Sequence, residues 1–147
     1  MATVQEQVAE SLEAYCLRGS SLIVAVSGGS DSLTLLHCLR GLQTSMNLCL
    51  HIVHVDHGLR PTSYHDAAFV QKLAVALGLP CTVVSVSIGS GSPEAAARDA
   101  RYDALAKVAA DQDAAVIAVG HTLNDQAETV LLNIVRGSGL TGLRAMS

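Results

Sequence analysis

The chain has 147 residues, half of them hydrophobic, with a formal net charge of −4. That balance suits a single domain with a substantial core and excludes a disordered or fibrous chain. The mild acidity also excludes a protein that coats nucleic acid through bulk positive charge, and every apolar run is shorter than the roughly 20 residues a membrane helix needs.

Taken in chain order, the opening MATVQEQVAESLEAYCL carries glutamates and lacks both a basic start and an apolar stretch, so it is not a secretory signal. Val4, Val8, Leu12 and Tyr15 recur at helical spacing and predict an amphipathic helix. SLIVAV (21–26) predicts a buried strand, followed by a Ser/Gly loop and a helix over 32–43 on which His37 is expected to pack. NLCLHIVHV (47–55) predicts a second strand. The next helix, 64–78, carries the stripe Val70, Leu73, Ala74 and Leu77, with Gly78 as a left-handed C-cap. CTVVSVS (81–87) is a third strand and SIGSGSP (87–93) a loop. Ser92 and Pro93 mark the N-cap and first turn of a helix over 93–111. AAVIAVG (114–120) is a fourth strand; Thr122 and Gly137 would cap a last helix over 122–136. Aromatics are scarce (Phe69, Tyr15, Tyr64, Tyr102, no Trp), so Ala, Val, Leu and Ile must build the core. The scattered Cys16, Cys38, Cys49 and Cys81 form no C-x-x-C and are expected to be buried, reduced thiols.

Strands apolar on both faces, alternating with helices, imply a doubly wound α/β fold: a parallel sheet with helices on both faces. Ligands of such sheets bind beyond the carboxyl ends of the strands. The polar stretches fall there: SGGSDS, DHGLR, SIGSGS and HTLND follow the four strands in turn. Because the chain stops after the fourth crossover, it is expected to be truncated before a fifth strand. A complete four-stranded domain is the alternative.

Ser27, Gly28, Gly29, Ser30, Asp31 and Ser32 run from a strand into a helix start, where unpaired N–H groups and small side chains suit a phosphate. The loop has neither the lysine of G-x-x-x-x-G-K-[ST] nor the spacing of G-x-G-x-x-G. It resembles the SGGxDS loop of the ATP-pyrophosphatase (PP-loop) superfamily at every specified position. The resemblance implies a Rossmann-like, adenine nucleotide α-hydrolase type of fold and cleavage of ATP to AMP and pyrophosphate, with Asp31 as a candidate Mg2+ ligand. The bland alternative is a Gly/Ser turn with Asp31 as a helix cap.

Three further stretches, HVDHGLR (54–60), EAAARDARYDAL (94–105) and GHTLNDQAETVLLNIVRGSGLTGLRAM (120–146), are similar to successive signatures of the bacterial tRNA(Ile)-lysidine synthase family. That resemblance implies a cytoplasmic, tRNA-modifying ligase. It would join L-lysine to the wobble cytidine of tRNA(Ile) with a CAU anticodon, through an adenylated cytidine. Residues 1–147 would then be the N-terminal catalytic domain, with tRNA-binding domains following; oligomeric state is left open, a homodimer included. Arg98 and Arg101 share a helix face and could supply positive charge to the reacting phosphate, although Glu94 and Arg98 at i, i+4 could form an ordinary surface pair. Asp125 and Glu128 could bind the amino groups of lysine, and one could take the ε-amine proton. Asn124 stands where relatives carry a second aspartate, which argues against a metal role for that position.

Val55, Gly120 and His121 are candidate nucleotide contacts, with His57 and Arg60 near phosphate or RNA. A zinc site at His54, Asp56 and His57 is disfavoured by their spacing. Rival readings are a tRNA sulfur transferase, an amidating ligase of the same superfamily, and a non-catalytic nucleotide sensor. The first would be expected to use paired cysteines, and the last would need neither the arginine pair nor an acidic helix start.

Overall fold

A computed structural model describes residues 3–58, 63–86, 94–122 and 130–136. Its first element, helix α1 (Val4–Ala14), starts where the Thr3 hydroxyl accepts a hydrogen bond from the Glu6 N–H at 3.1 Å, an ordinary N-cap. Strand β1 (Ser21–Ala25) leads into helix α2 (Ser30–Leu42), and strand β2 (Cys49–Asp56) into helix α3 (Ser63–Leu77). Strand β3 (Cys81–Ser85), helix α4 (Glu94–Asp111), strand β4 (Val116–Thr122) and strand β5 (Val130–Arg136) follow.

The sheet order is β3-β2-β1-β4-β5. The pairs β1–β2, β2–β3 and β1–β4 are parallel, as the double-sided apolar strands predict. The chain first builds outward from β1 through β2 to β3, then returns to the other side of β1 with β4. The order therefore reverses between β1 and β4, and a doubly wound sheet opens a crevice at that point.

Alternate residues of each strand feed two cores. Leu22 and Val24 of β1, Leu50 and Ile52 of β2, and Val116 and Ala118 of β4 face one way. They meet Val8 and Leu12 of α1, Leu35, Leu36 and Leu39 of α2, and Val70 and Ala74 of α3. Ile23, Val53 and Ile117 face the other way, against Tyr102, Leu105, Val108 and Ala109 of α4. Three helices thus cover one face of the sheet and α4 covers the other. The expected stripe on α3 is in place, with Leu73 and Leu77 packed beside Val70 and Ala74. Gly78 ends that helix at φ +69°, and the Leu79 N–H reaches back to the Ala74 carbonyl at 2.9 Å, a Schellman closure.

Four expectations need correction. The helix predicted over 122–136 is replaced by strand wherever that range is described: Thr122 belongs to β4, and Val130–Arg136 is a strand antiparallel to β4. The run VLLNIVR is apolar, short and β-branched, and its length and periodicity do not separate strand from helix. As a strand it pairs the backbone groups along the outer edge of β4. The sheet therefore has a fifth, antiparallel strand within the chain, whereas truncation before any fifth strand was expected.

His37 is exposed, because Leu35, Leu36, Cys38 and Leu39 already occupy the inward face of α2. The cysteines are all free, but only Cys38 is buried; Cys81 is half-buried, and Cys16 and Cys49 are exposed. Burial pushes the thiols of Cys38 and Cys81 up from their ordinary value. Cys16 also lies in the turn after α1, at φ +58°, and not inside a helix or strand.

Candidate nucleotide-binding site

The Ser27–Ser32 loop is held by its own hydroxyls. Ser32 is nearly buried; its Oγ accepts from the Ser27 N–H at 3.1 Å and donates to the Gly29 carbonyl at 3.0 Å. The Ser27 and Ser32 hydroxyls lie 3.2 Å apart, and the Gly29 N–H donates to the Ser27 Oγ at 3.3 Å. This closed set leaves Gly28 at φ +96°, where a side chain would be strained. Gly29 is the N-cap residue of α2 and supplies no side-chain cap, so among the described residues no capping side chain satisfies the first N–H groups of the helix. Asp31 stands in that first turn, half-buried.

The neighbouring strands hold the loop in place. The Val26 N–H donates to the Val53 carbonyl at 2.9 Å, and the Val26 carbonyl lies 2.7 Å from Nδ1 of buried His54. His54 therefore serves as a brace under the loop, a role its sequence context did not reveal. On the other side, Gly120 of β4 brings its backbone against α2. A Cβ there would sit 2.9 Å from the Asp31 carbonyl oxygen and 3.1 Å from the Leu35 Cβ. Only glycine permits that approach.

These elements surround a pocket of about 480 Å³ at the carboxyl ends of β1, β2 and β4, roofed by α4. Of the residues singled out from the sequence, Ser27, Ser32, Val55, Arg98, Arg101 and Gly120 all line it. Val53, Leu105 and Val119 add an apolar wall, and Tyr102 joins them. Tyr102, Leu105 and the two valines escaped the sequence reading because each also looks like ordinary core. Tyr102 follows Arg101 directly, and that adjacency was the only available signal.

The two arginines carry the electrostatics. Arg98 Cζ lies 5.6 Å and Arg101 Cζ 5.1 Å from the centre of the Tyr102 ring. Among the described residues neither guanidinium pairs with a carboxylate, and Arg98 Nε is buried without a hydrogen-bond partner. An orphaned buried donor costs about 1–3 kcal/mol, whereas a cation over a ring returns about 0.5–2 kcal/mol. An anion in the pocket would offset the remainder. The alternative pairing of Arg98 with Glu94 turns on a side chain outside the described residues.

His57, half-buried just past β2, also has a buried ring nitrogen, Nδ1, without a hydrogen-bond partner among the described residues. Burial is the main cause that lowers its pKa; the Arg101 guanidinium and His54 add to this, and the Asp56 carboxylate opposes it. His57 thus sits in the field of Arg101 without lining the pocket itself. Gly29 and Ser30 are exposed on the loop, and Gly28 is half-buried. Arg60, Asp125 and Glu128, and the capping positions Ser92, Pro93 and Gly137, lie outside the described residues, as does the side chain of His121.

A pocket at the switch point of a doubly wound sheet, with a glycine-serine loop at a helix start, defines a nucleotide-binding α/β domain. The PP-loop domain family matches residues 1–147, and the chain belongs to that family.

Among curated proteins, the chain is 51% identical over 131 residues to a tRNA(Ile)-lysidine synthase of Symbiobacterium thermophilum, covering 85% of this chain and 27% of that protein. It is 44% identical over 135 residues to the tRNA(Ile)-lysidine synthase of Dehalococcoides mccartyi, covering 87% and 29%. For the one of Thermobifida fusca the figures are 48% over 131 residues, 88% and 40%. The chain thus spans between 27% and 40% of the length of these relatives.

Among solved structures, a U34-tRNA thiolase from Methanococcus maripaludis superposes with a TM-score of 0.74 at 20% identity, over 83% of this chain and 45% of that one. A universal stress protein from Archaeoglobus fulgidus gives 0.50 at 14% identity, over 82% and 45%. At those identities the likeness is one of fold.

Proposed function

We propose that this chain is the ATP-binding part of a tRNA(Ile)-lysidine synthase. The enzyme would ligate L-lysine to the wobble cytidine of the CAU anticodon of tRNA(Ile), releasing AMP and pyrophosphate in the cytoplasm. The observation that carries the reading is the pocket itself: a serine-glycine loop and two arginines, without carboxylate partners among the described residues, meet an apolar wall. The names of the relatives, at 44–51% identity, supply the reaction class.

In this reading the adenine lies against Val53, Val55 and Leu105, where apolar surface is offered. The β and γ phosphates rest on Gly28, Gly29, Ser30 and the N–H groups that open α2, which favour negative charge. Arg98 and Arg101 stand on the side of the α-phosphate. Charge moves onto the departing pyrophosphate as the cytidine C2 oxygen attacks, and fixed cations and N–H donors stabilise that shift without reorganising. Asp31, in the first turn of α2, is an oxygen donor suited to Mg2+, which would neutralise the polyphosphate. Asp125 and Glu128 are assigned to the lysine substrate, to hold its amino groups and to take the ε-amine proton. Gly120 and His121 flank the nucleotide from β4.

The rival within the superfamily is a tRNA sulfur transferase. The likeness to the thiolase is one of fold and does not favour it, and the chain holds no C-x-x-C. The test is calorimetric titration of the protein with ATP, with and without magnesium, then pyrophosphate release with CAU-anticodon tRNA(Ile) and lysine, ammonia or a sulfur donor. Magnesium-dependent ATP binding and lysine-specific release are expected. Release with another donor would move the protein to a rival reaction, and a folded protein that ignores ATP would end the nucleotide reading.

A further inference from the structure

Tyr102 lies in the middle of the site yet offers no obvious chemistry to it. Its ring is 5% exposed, wedged among Ile23, Val53 and Leu105 on the α4 side of the sheet. Arg98, one helical turn earlier, falls naturally over that ring. Arg101 is the preceding residue, and neighbouring positions on a helix point about 100° apart. Even so, its guanidinium lies over the same ring, the nearer of the two at 5.1 Å. Two like charges have gathered around one aromatic ring with no carboxylate beside them among the described residues. Mutual repulsion opposes that arrangement, so something other than ion pairing must hold the pair. The negative face of an immobile ring is the available attraction.

We infer that Tyr102 is a positioning residue: its ring is the platform that holds Arg98 and Arg101 together, aimed into the pocket, as a preformed site for the phosphates of a nucleotide. The inference rests on the nucleotide reading above and adds to it a residue that need not touch the substrate. Arginines are long and lose much side-chain freedom when they grip an anion. A rigid platform bears that cost before the ligand arrives, which is the gain from preorganisation. The effect lies in the ring face, so the hydroxyl is dispensable and phenylalanine should substitute for tyrosine.

The experiment compares ATP and adenosine binding by calorimetry in the unsubstituted protein, Tyr102→Leu and Tyr102→Phe, each checked for folding by circular dichroism. Tyr102→Leu should weaken ATP by about five- to thirtyfold, the span of a desolvated cation–ring contact, and weaken adenosine, which has no phosphate for the arginines to hold, by a much smaller factor. Tyr102→Phe should restore ATP binding. If Tyr102→Leu fails to fold, fluorinated phenylalanines at position 102 keep the shape of the ring while draining its negative face. ATP affinity should then fall step by step with fluorine number while adenosine holds. Equal loss of ATP and adenosine binding, or ATP binding indifferent to fluorination, would overturn the inference and leave the nucleotide reading standing. No ATP binding by the folded unsubstituted protein would overturn both.

Discussion

At the residue scale, His57 links the site to pH. Burial and the Arg101 guanidinium lower its pKa in the folded protein, against the opposing pull of Asp56, and His54 adds a smaller push in the same direction. His51, 2.7 Å from the Thr82 hydroxyl across the sheet, is lowered by burial alone. A histidine held below its ordinary value of about 6.5 stays neutral while the unfolded chain takes up a proton, so the folded state binds fewer protons. The contribution to stability is therefore complete above about pH 6.5 and is lost as pH falls through the lowered folded-state value. Urea melts across this range should show stability declining on the acid side, with a shallower decline in His57→Gln. Equal slopes in the two proteins would show that His57 does not titrate as described. The sequence marked His57 as a phosphate-side residue, but only the fold sets it in the field of Arg101.

At the scale of elements, the loop is aimed by the contact between β4 and α2. A methyl group at position 120 would press on the Asp31 carbonyl and on Leu35, and backbone cannot swing aside as a side-chain tip can. Gly120→Ala should cost about 1–3 kcal/mol of stability, as overpacking does. It should also weaken ATP binding, because the first turn of α2 must shift. Gly78→Ala is the control. Its φ of +69° strains any L side chain, yet nothing lies within 4 Å of the new methyl. It should cost about 1 kcal/mol and leave ATP affinity unchanged. Thermal melts and ATP titrations of both variants decide the matter, and unaltered ATP affinity in Gly120→Ala would break the link between strand and loop.

For the whole molecule, stability and ligand binding are linked. The pocket is walled by three strands and by α4, so occupancy should tie the two faces of the sheet together. A ligand that binds only the folded state stabilises it by about 2.7 kcal/mol at a hundredfold excess over its Kd. For a chain of this size that corresponds to a rise of about 5–10 °C in melting temperature. Magnesium-ATP at such an excess should produce that rise, and inorganic phosphate a much smaller one. A rise equal for both would mean that the base end of the pocket contributes nothing. No helix among the described residues is long and apolar enough to cross a membrane.

The amino-acid sequence by itself determined the parallel core of the sheet, because strands buried on both faces must be largely apolar, and SLIVAV and NLCLHIVHV are, apart from Ser21, Asn47, His51 and His54. It determined the Gly/Ser loop, since two glycines and three serines between an apolar run and a helical pattern mark a strand-to-helix junction. It also put Arg98 and Arg101 on one face of one helix, which is a matter of spacing alone. Tertiary structure decided what local pattern cannot express. VLLNIVR became a strand because β4 had an edge to pair, a fact that lies outside the run itself. His37 turned outward because four other residues already filled the inward face of α2. His54 became a brace and Tyr102 a platform through contacts with Val26 and with two guanidiniums. The physical reason is common to all four: periodicity and propensity are properties of a segment, whereas pairing, crowding and electrostatic partnership depend on which segments the fold brings together.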